Sequence, residues 1–439
     1  MAKGLIVSAP ASGSGKTTVT LGLLRALTRA GAVVAPAKAG PDYIDPTYHA
    51  AACGWPCHNL DVWAMRRETL AALIGGMATG ADLILCEGVM GLFDGAVADG
   101  RADVGSTAEL AAATGWPVVL VLDVGGQAAS VAAVVRGFAE HRPDVVVAGV
   151  ILNRVGGEGH RAALALALEE LADRVPLLGM VPRDERLRLP ERHLGLVTAG
   201  ELADLEAFVD RAAAVVGGSV DVQRLLPLAI STALTAVDAA PRLAPPGQRI
   251  AVARDAAFAF AYAAVLDGWR AAGAEVTLFS PLEDEAPGDS DAVYLPGGYP
   301  ELHAGRLAAN ARFCRGLRAS AERGAAVYGE CGGYMVLGEG LVDRDGARHA
   351  MTGLLPLETS FAAPKLHLGY RQVTLAADHP LGPAGAAFRG HEFHYARATR
   401  ETADPLFHVC GADGRERGTA GMALGRVAGS FMHLIDRAS

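Results

Sequence analysis

The chain has 439 residues, enough for two domains of ordinary size, each with its own core. Its formal net charge is -9 and no basic block occurs, which argues against a nucleic-acid partner. Six cysteines lie scattered without a framework, as suits a reducing cytosol. No signal-peptide pattern opens the sequence and no apolar run reaches the roughly 18 residues that span a bilayer, so a soluble, cytoplasmic protein without membrane association is expected.

The first element is a short apolar strand, Leu5 to Ser8, which runs into S-G-S-G-K-T-T (Ser12 to Thr18). Gly13 and Gly15 lack side chains, so backbone N–H groups, together with those of Ser14 and Thr18, can close on phosphate oxygens. Lys16 adds a point charge and Thr17 a hydroxyl suited to Mg²⁺. A helix-compatible run follows from Lys16 to Ala30 and stops at Gly31. Pro10 stands where the standard phosphate loop has a glycine, which makes this a variant loop. Only four of the 39 basic residues are lysines (Lys3, Lys16, Lys38, Lys365), and two of these flank the expected phosphate site. A compact ammonium meets phosphate differently from a guanidinium fork, a chemical reason to keep lysine there.

Up to about residue 217, β-rich runs alternate with alanine-rich helical stretches: Val33 to Ala37, Leu83 to Glu87, Val118 to Asp123, Val145 to Leu152 and Leu177 to Val181. Such alternation predicts a mostly parallel sheet with helices on both faces, and ligands beyond the carboxyl ends of its strands. The polar residues fall there. Lys38 and G-P-D-Y-I-D-P (Gly40 to Pro46) follow the second strand, and C-E-G-V-M-G-L-F-D-G (Cys86 to Gly95) the third. Asp42 and Glu87, with Thr17, are the expected Mg²⁺ ligands. Asp94, in a glycine-flanked loop, is expected to reach a substrate, and Asn153 an adenine edge. Cys53, Cys57 and His58 have a metal-like spacing but no further ligand nearby, so no metal is expected there.

The first domain is therefore placed at 1–217, with 218–247 as a linker region ending in P-R-L-A-P-P-G-Q, and a second α/β domain at 248–439. That domain restarts with a strand at Ile250 to Ala253, a helical stretch at Ala256 to Ala272 and a strand at Val276 to Phe279. A further strand enters L-P-G-G-Y-P-E. Then Ala325 to Tyr328 leads into G-E-C-G-G-Y (Gly329 to Tyr334), a G-x-C-x-G turn between strand and helix. This is the cysteine counterpart of a nucleophile elbow: small neighbours allow the tight turn, and a helix N-terminus is expected to favour the Cys331 thiolate. The oxyanion donors are expected at Gly332 and at Gly297 or Gly298. The base must be a histidine from elsewhere: His391, His394 or His433, the last lying beyond a late strand at Val427 to Phe431. In G-H-E-F-H-Y (Gly390 to Tyr395) an H-x-x-H pair lacks an evident third ligand, so metal is not expected.

Together these motifs, with L-P-E-R-H-L-G-L-V (Leu189 to Val197), resemble the cobyrinic or hydrogenobyrinic acid a,c-diamide synthases of corrin biosynthesis over essentially the full length. The resemblance implies a P-loop NTPase-type domain like dethiobiotin synthetase, followed by a class I glutamine amidotransferase domain of flavodoxin-like fold. Cys331 would attack glutamine with His433 as base, and Gly298 and Gly332 would hold the oxyanion. ATP and Mg²⁺, with Lys16, Lys38 and Asp94, would phosphorylate a corrin carboxylate, and ammonia would convert the acyl phosphate to an amide. Asp42, Tyr43 and Ile44 match positions at the substrate carboxylates. Partners implied are a corrinoid and glutamine; a homodimer is one candidate assembly, which the sequence does not decide.

Many class I amidotransferases carry a glutamate two residues after the base. Here that position is Ile435, which implies a Cys–His dyad, with Asp436 and Glu392 the acids left in the neighbourhood. The nearest rival, a cobyric acid synthase, is disfavoured by Y-I-D-P and L-P-E-R-H-L-G-L-V. A partitioning-type switch ATPase would have a second lysine where Ala11 stands. Arginine and alanine richness suggests a high-GC bacterium, in which the metal-free corrin route is common, so hydrogenobyrinic acid is the expected substrate.

Overall fold

The β-rich runs of the first half are apolar throughout rather than alternating, the pattern of strands covered on both faces. In the computed structural model, which describes residues 2–192, 195–235 and 243–438, they form a seven-stranded sheet. Its order is His58–Leu60, Val34–Ala39, Leu83–Glu87, Lys3–Ser8, Val118–Asp123, Val147–Val155, Leu177–Pro182, and every pairing is parallel. Leu5, Ile6, Val7 and Leu83 to Leu85 are wholly buried. The helix Lys16–Arg29 buries Val19, Leu23, Leu24 and Leu27 and packs against the helix Leu205–Gly217. The predicted parallel sheet is thus present. Its edge strand His58–Leu60, only three residues long, carries too little pattern to be read from sequence.

The chain divides into two compact units, Met1–Trp63 with Arg67–Asp238, and Ala64–Arg66 with Ala239–Ser439. The first part of the expected linker is therefore structured. Val220 bridges to Gly179 and Ile230 to Gly4, while Leu225 and Ala229 are buried in the first unit. Burial of a leucine or valine side chain stabilises by about 1.5–3 kcal/mol, enough to hold such a segment down. Pro241 and Arg242 of the P-R-L-A-P-P-G-Q run, and His193 and Leu194 of L-P-E-R-H-L-G-L-V, lie outside the described residues.

The second unit has a ten-stranded mixed sheet. Five strands are parallel neighbours: Glu275–Phe279, Arg249–Ala253, Ala292–Leu295, Ala326–Glu330 and Val427–Ser430. The antiparallel strands Glu416–Leu424, Asp404–Gly411, His367–Leu375, Ala387–His394 and Met432–Arg437 continue it. The helix expected over Ala256 to Ala272 is shorter, Ala263–Ala271. Before it, Asp255 accepts from the N–H of Ala257 (2.8 Å) and of Leu282 (2.8 Å), and the Phe260 N–H bonds to the Gly297 carbonyl (2.9 Å). Those bonds, local at Ala257 and long-range at Leu282 and Gly297, hold 256–262 as a turn that shapes the neighbourhood of Gly297.

Candidate active sites

In the first unit, Gly13 and Gly15 sit at φ +78° and +85°, and the helix starts at Lys16 directly after them. A side chain at Gly15 is excluded twice over: by its left-handed φ and because a Cβ there would lie 2.2 Å from Asn153 Nδ2. Asn153 donates from Nδ2 to the Ser14 carbonyl (2.9 Å), while its Oδ1 accepts from the Arg154 N–H (2.9 Å). Buried against the loop, it braces the turn at Ser14 and Gly15. Ser14 Oγ donates to Ala11 O (2.8 Å) and Thr18 Oγ1 to Leu187 O (3.3 Å).

Lys16 Nζ donates to the Met90 carbonyl at 2.5 Å, and Met90 has φ +49°. Asp94 closes the same turn by accepting from the Gly91 N–H (2.9 Å), so it faces its own loop. Thr17 Oγ1 donates to Glu87 Oε1 (2.8 Å). Around Glu87 lies a buried charge cluster. Lys38 Nζ is 2.5 Å from Asp45, 3.0 Å from Glu87 and 3.8 Å from Asp42, and His49 Nε2 is 2.7 Å from Glu87 Oε2. Burial works against the Lys38 charge, but Asp45, Glu87 and Asp42 hold its ammonium well above the usual range. Burial also opposes the Glu87 charge, and Lys38 and His49 outweigh it, keeping the carboxylate well below its ordinary range. Burial, with Asp42 beside it, pushes the Asp45 carboxyl up to about 7.

Asp42 has a second task. Its Oδ1 accepts from the N–H groups of Ile44 (2.8 Å) and Asp45 (3.2 Å), capping the helix Asp45–Cys53, and the side chains of Tyr43 and Ile44 are buried at that entrance. Asp45 and His49 were missed from sequence. Their i, i+4 spacing one turn apart on the helix after Asp42 was the available signal. Cys57 Sγ lies 3.7 Å from His49 Nδ1 and Cys53 Sγ donates to the His49 carbonyl. Among the described residues Cys53, Cys57 and His58 do not form a converging donor set.

In the second unit, the strand Ala326–Glu330 delivers Cys331 at φ +49°, ψ -105°, a strained geometry for a side chain, held because the Cys331 N–H bonds to Ser430 O (2.8 Å). The chain then turns at Ser430 and brings His433 back on Met432–Arg437, opposite His391. A Cβ on Gly297 would lie 2.6 Å from His433 Cε1 and 3.2 Å from Cys331 Cβ, so the two side chains meet over that glycine. A Cβ on Gly332 would lie 3.0 Å from the Gly298 nitrogen, which sets the two expected oxyanion donors side by side.

Burial, then the charge of Glu301, pushes the Cys331 thiol well above its ordinary value; the Gly332 N–H acts the other way but less. The helix N-terminus was expected to favour the thiolate; desolvation acts against it and is the larger influence. Burial, then His391 and His394, pushes His433 well below its usual value, which favours the neutral imidazole.

His391 and His394 face elsewhere. The His391 ring centroid is 5.1 Å from that of His433, with Tyr262 Oη 3.4 Å from its Nδ1. His394 lies within hydrogen-bonding reach of Ala396 O through Nδ1 (2.9 Å) and of Glu392 through Nε2 (3.0 Å). With His367 these form a three-donor group that spacing alone did not reveal. The His367 and His394 rings are stacked within 3° of parallel at 4.6 Å, so their in-plane lone pairs do not converge on one point, and Arg371 Nε donates to Glu392 (3.0 Å). This is the geometry of an ion-pair network. The other acid considered for His433, Asp436, is held by Arg66, whose N–H and guanidinium both donate to it at 2.9 Å.

Residues 5–197 match the model of the CobQ/CobB/MinD/ParA nucleotide binding domain, and residues 249–439 that of the CobB/CobQ-like glutamine amidotransferase domain. The chain is 57% identical over 99% of its length to the hydrogenobyrinate a,c-diamide synthase of Brucella anthropi, covering 98% of that protein. It is 56% identical to the one from Rhizobium meliloti, covering 99% of each, and 54% identical to the one from Rhodobacter capsulatus, covering 99% of this chain and 98% of the relative. With a nucleotide-binding unit and an amidotransferase unit in the same order along the full length, the chain belongs to the hydrogenobyrinate a,c-diamide synthase family.

Proposed function

We propose that the protein converts the a and c side-chain carboxylates of hydrogenobyrinate to amides, using ATP and the amide nitrogen of glutamine. The observation that carries this reading is the meeting of Cys331 and His433 over Gly297, an ammonia-producing arrangement in the same chain as the Lys16–Lys38–Glu87 phosphate site. The activity of the hydrogenobyrinate a,c-diamide synthases to which the chain is similar supports the corrin substrate.

His433 takes the Cys331 proton as sulfur attacks the glutamine carboxamide, and Gly298 and Gly332 N–H groups receive the oxyanion. The imidazolium returns the proton to the leaving nitrogen, ammonia departs, and water hydrolyses the thioester to glutamate. In the first unit, a corrin carboxylate oxygen attacks the γ-phosphorus of ATP and ADP leaves. Ammonia then displaces phosphate from the acyl phosphate and an amide remains. Phosphoryl transfer of this kind is positioning and charge neutralisation, for which Lys16 and Lys38 supply fixed positive charge and the loop its N–H groups. Thr17 Oγ1 and the Glu87 carboxylate, with Asp42 next to Lys38, are hard oxygen donors that fit Mg²⁺; the ion would neutralise phosphate oxygens when bound. Tyr43 and Ile44 stand beside Asp42 at the carboxylate end of the corrin, and Asp94 shapes the turn that presents Met90 to Lys16.

The test incubates purified protein with ATP, Mg²⁺ and hydrogenobyrinate, and follows heavy-nitrogen label from glutamine amide or from ammonium into product by mass spectrometry. Two labelled amides from either source are expected. Absence of amide from both sources in folded protein overturns the reading.

A further inference from the structure

The position two residues after His433, where many class I amidotransferases hold the orienting acid, is Ile435, and its side chain is buried. Asp436 is committed to Arg66, and Glu392 to Arg371 and His394. A different carboxylate faces the imidazole. Glu330, the residue immediately before the nucleophile, is 2% exposed, and its Oε2 lies 3.8 Å from His433 Nδ1. Two donors fix that carboxylate: the Tyr294 hydroxyl bonds to Oε2 (2.8 Å), and the Leu434 N–H bonds to Oε1 (3.1 Å). Leu434 is the neighbour of His433, so the second bond ties the acid directly to the strand that carries the base.

We infer that Glu330 is the positioning residue for His433, taking from the nucleophile strand the role that the residue two after the histidine has elsewhere. This inference rests on the reading of Cys331 and His433 as the glutamine-cleaving pair. With Nδ1 turned to Glu330, Nε2 is the nitrogen left for the thiol. When the thiol proton passes to Nε2, the positive charge of the imidazolium develops beside a fixed carboxylate in a water-poor site, where the interaction is strongest. Sulfur–carbon bond formation and carbon–nitrogen cleavage then proceed as above, and Glu330 itself keeps its proton count.

Three further features agree with this placement. The β-strand pairing sets Glu330 opposite Ser430, whose carbonyl holds the Cys331 N–H, so acid, nucleophile and base strand share one hydrogen-bonded corner. Burial pushes the Glu330 carboxyl up to about 7 despite the Tyr294 and Leu434 bonds, a cost with no structural return at an ordinary strand end. The other titratable groups around the pair are His391, His394, Tyr262, Tyr294 and Tyr328, with the acids Glu301, which acts on Cys331, and Glu392, which is paired with Arg371 and His394; among the described acids Glu330 is the one in ion-pair range of His433 Nδ1.

The experiment uses the full-length protein with the near-isosteric change Glu330→Gln, which keeps an acceptor for the Leu434 N–H. Glutamine-dependent kcat should fall about tenfold or more with KM for glutamine within about twofold, while ammonia-dependent amidation holds. The acidic limb of the kcat/KM profile for glutamine should move to lower pH, because losing the carboxylate makes the His433 imidazolium less favourable. Tyr294→Phe, which removes one of the two donors, should shift kcat in the same direction by a smaller factor, and it decides the matter if Glu330→Gln does not fold. Unchanged kcat and an unmoved limb, or parallel loss of the ammonia-dependent reaction, overturns the inference. Failure of the underlying reading has a separate sign: glutamine-dependent turnover that survives Cys331→Ala.

Discussion

At the scale of residues, the two sites differ in how far their chemistry can be derived from local pattern. Gly13, Gly15, Lys16 and Thr17 are contiguous, and their conformations follow from chain geometry: left-handed φ at the two glycines and a helix immediately after. The acid beside Lys38 was harder. Asp42 was expected as a Mg²⁺ ligand and no partner was assigned to Lys38; Asp45 is its nearest acid at 2.5 Å, while Asp42 spends one oxygen on the N–H groups of Ile44 and Asp45. Asp45→Asn should therefore cost about 3 kcal/mol in urea unfolding, since it weakens the neutralisation of a buried ammonium. Gly297→Ala places a methyl where His433 Cε1 stands, 2.6 Å away on a buried strand. Displacement of the base by around an ångström should lower glutamine-dependent kcat about 100-fold, read in a glutaminase assay. The sign of the pH dependence follows from the same imidazole. Its pKa is depressed by burial, so the base stays neutral as pH falls through 6.5, and glutamine hydrolysis should hold there, declining only in more acidic buffer.

At the scale of elements, strands buried on both faces were legible, and half-exposed antiparallel strands were not. Leu83–Glu87 and Val118–Asp123 have the bounds expected from their apolar runs. The strands His367–Leu375 and Glu416–Leu424 carry exposed and partly exposed residues in succession, so no period marks them, and cross-strand bonding alone makes them strands. Capping was legible in principle at Ser106-x-x-Glu109. Ser106 Oγ accepts from the Glu109 N–H (3.2 Å) and Glu109 Oε2 from the Gly105 N–H (2.8 Å), opening the helix Thr107–Thr114. Ser106→Ala should destabilise the first unit by about 1 kcal/mol, measured as a lower Tm or urea midpoint.

At the scale of the whole molecule, the division into two compact units predicts separable chemistry. Cys331→Ala should lose amidation from glutamine and keep amidation from ammonium, because the thiol serves only to generate ammonia. Lys16→Ala should lose both by about 100-fold or more, because every amide requires the activated carboxylate; substantial turnover in that variant would contradict the proposed activation. No helix among the described residues is long and apolar enough to cross a membrane. The sequence by itself determined the two-part α/β plan, the phosphate loop and the cysteine elbow, because each rests on short-range geometry: a glycine where φ must be positive, an apolar run where both faces are covered. Tertiary structure alone decided the rest. Which histidine lies near Cys331 and which carboxylate faces His433 follow from strand order and register, which bring together residues as far apart in the chain as Glu330 and His433, whereas Asp45 reaches Lys38 from the helix that follows its strand. Such pairings leave no local period to read, since their energy comes from desolvated contacts that exist only once the sheet has closed.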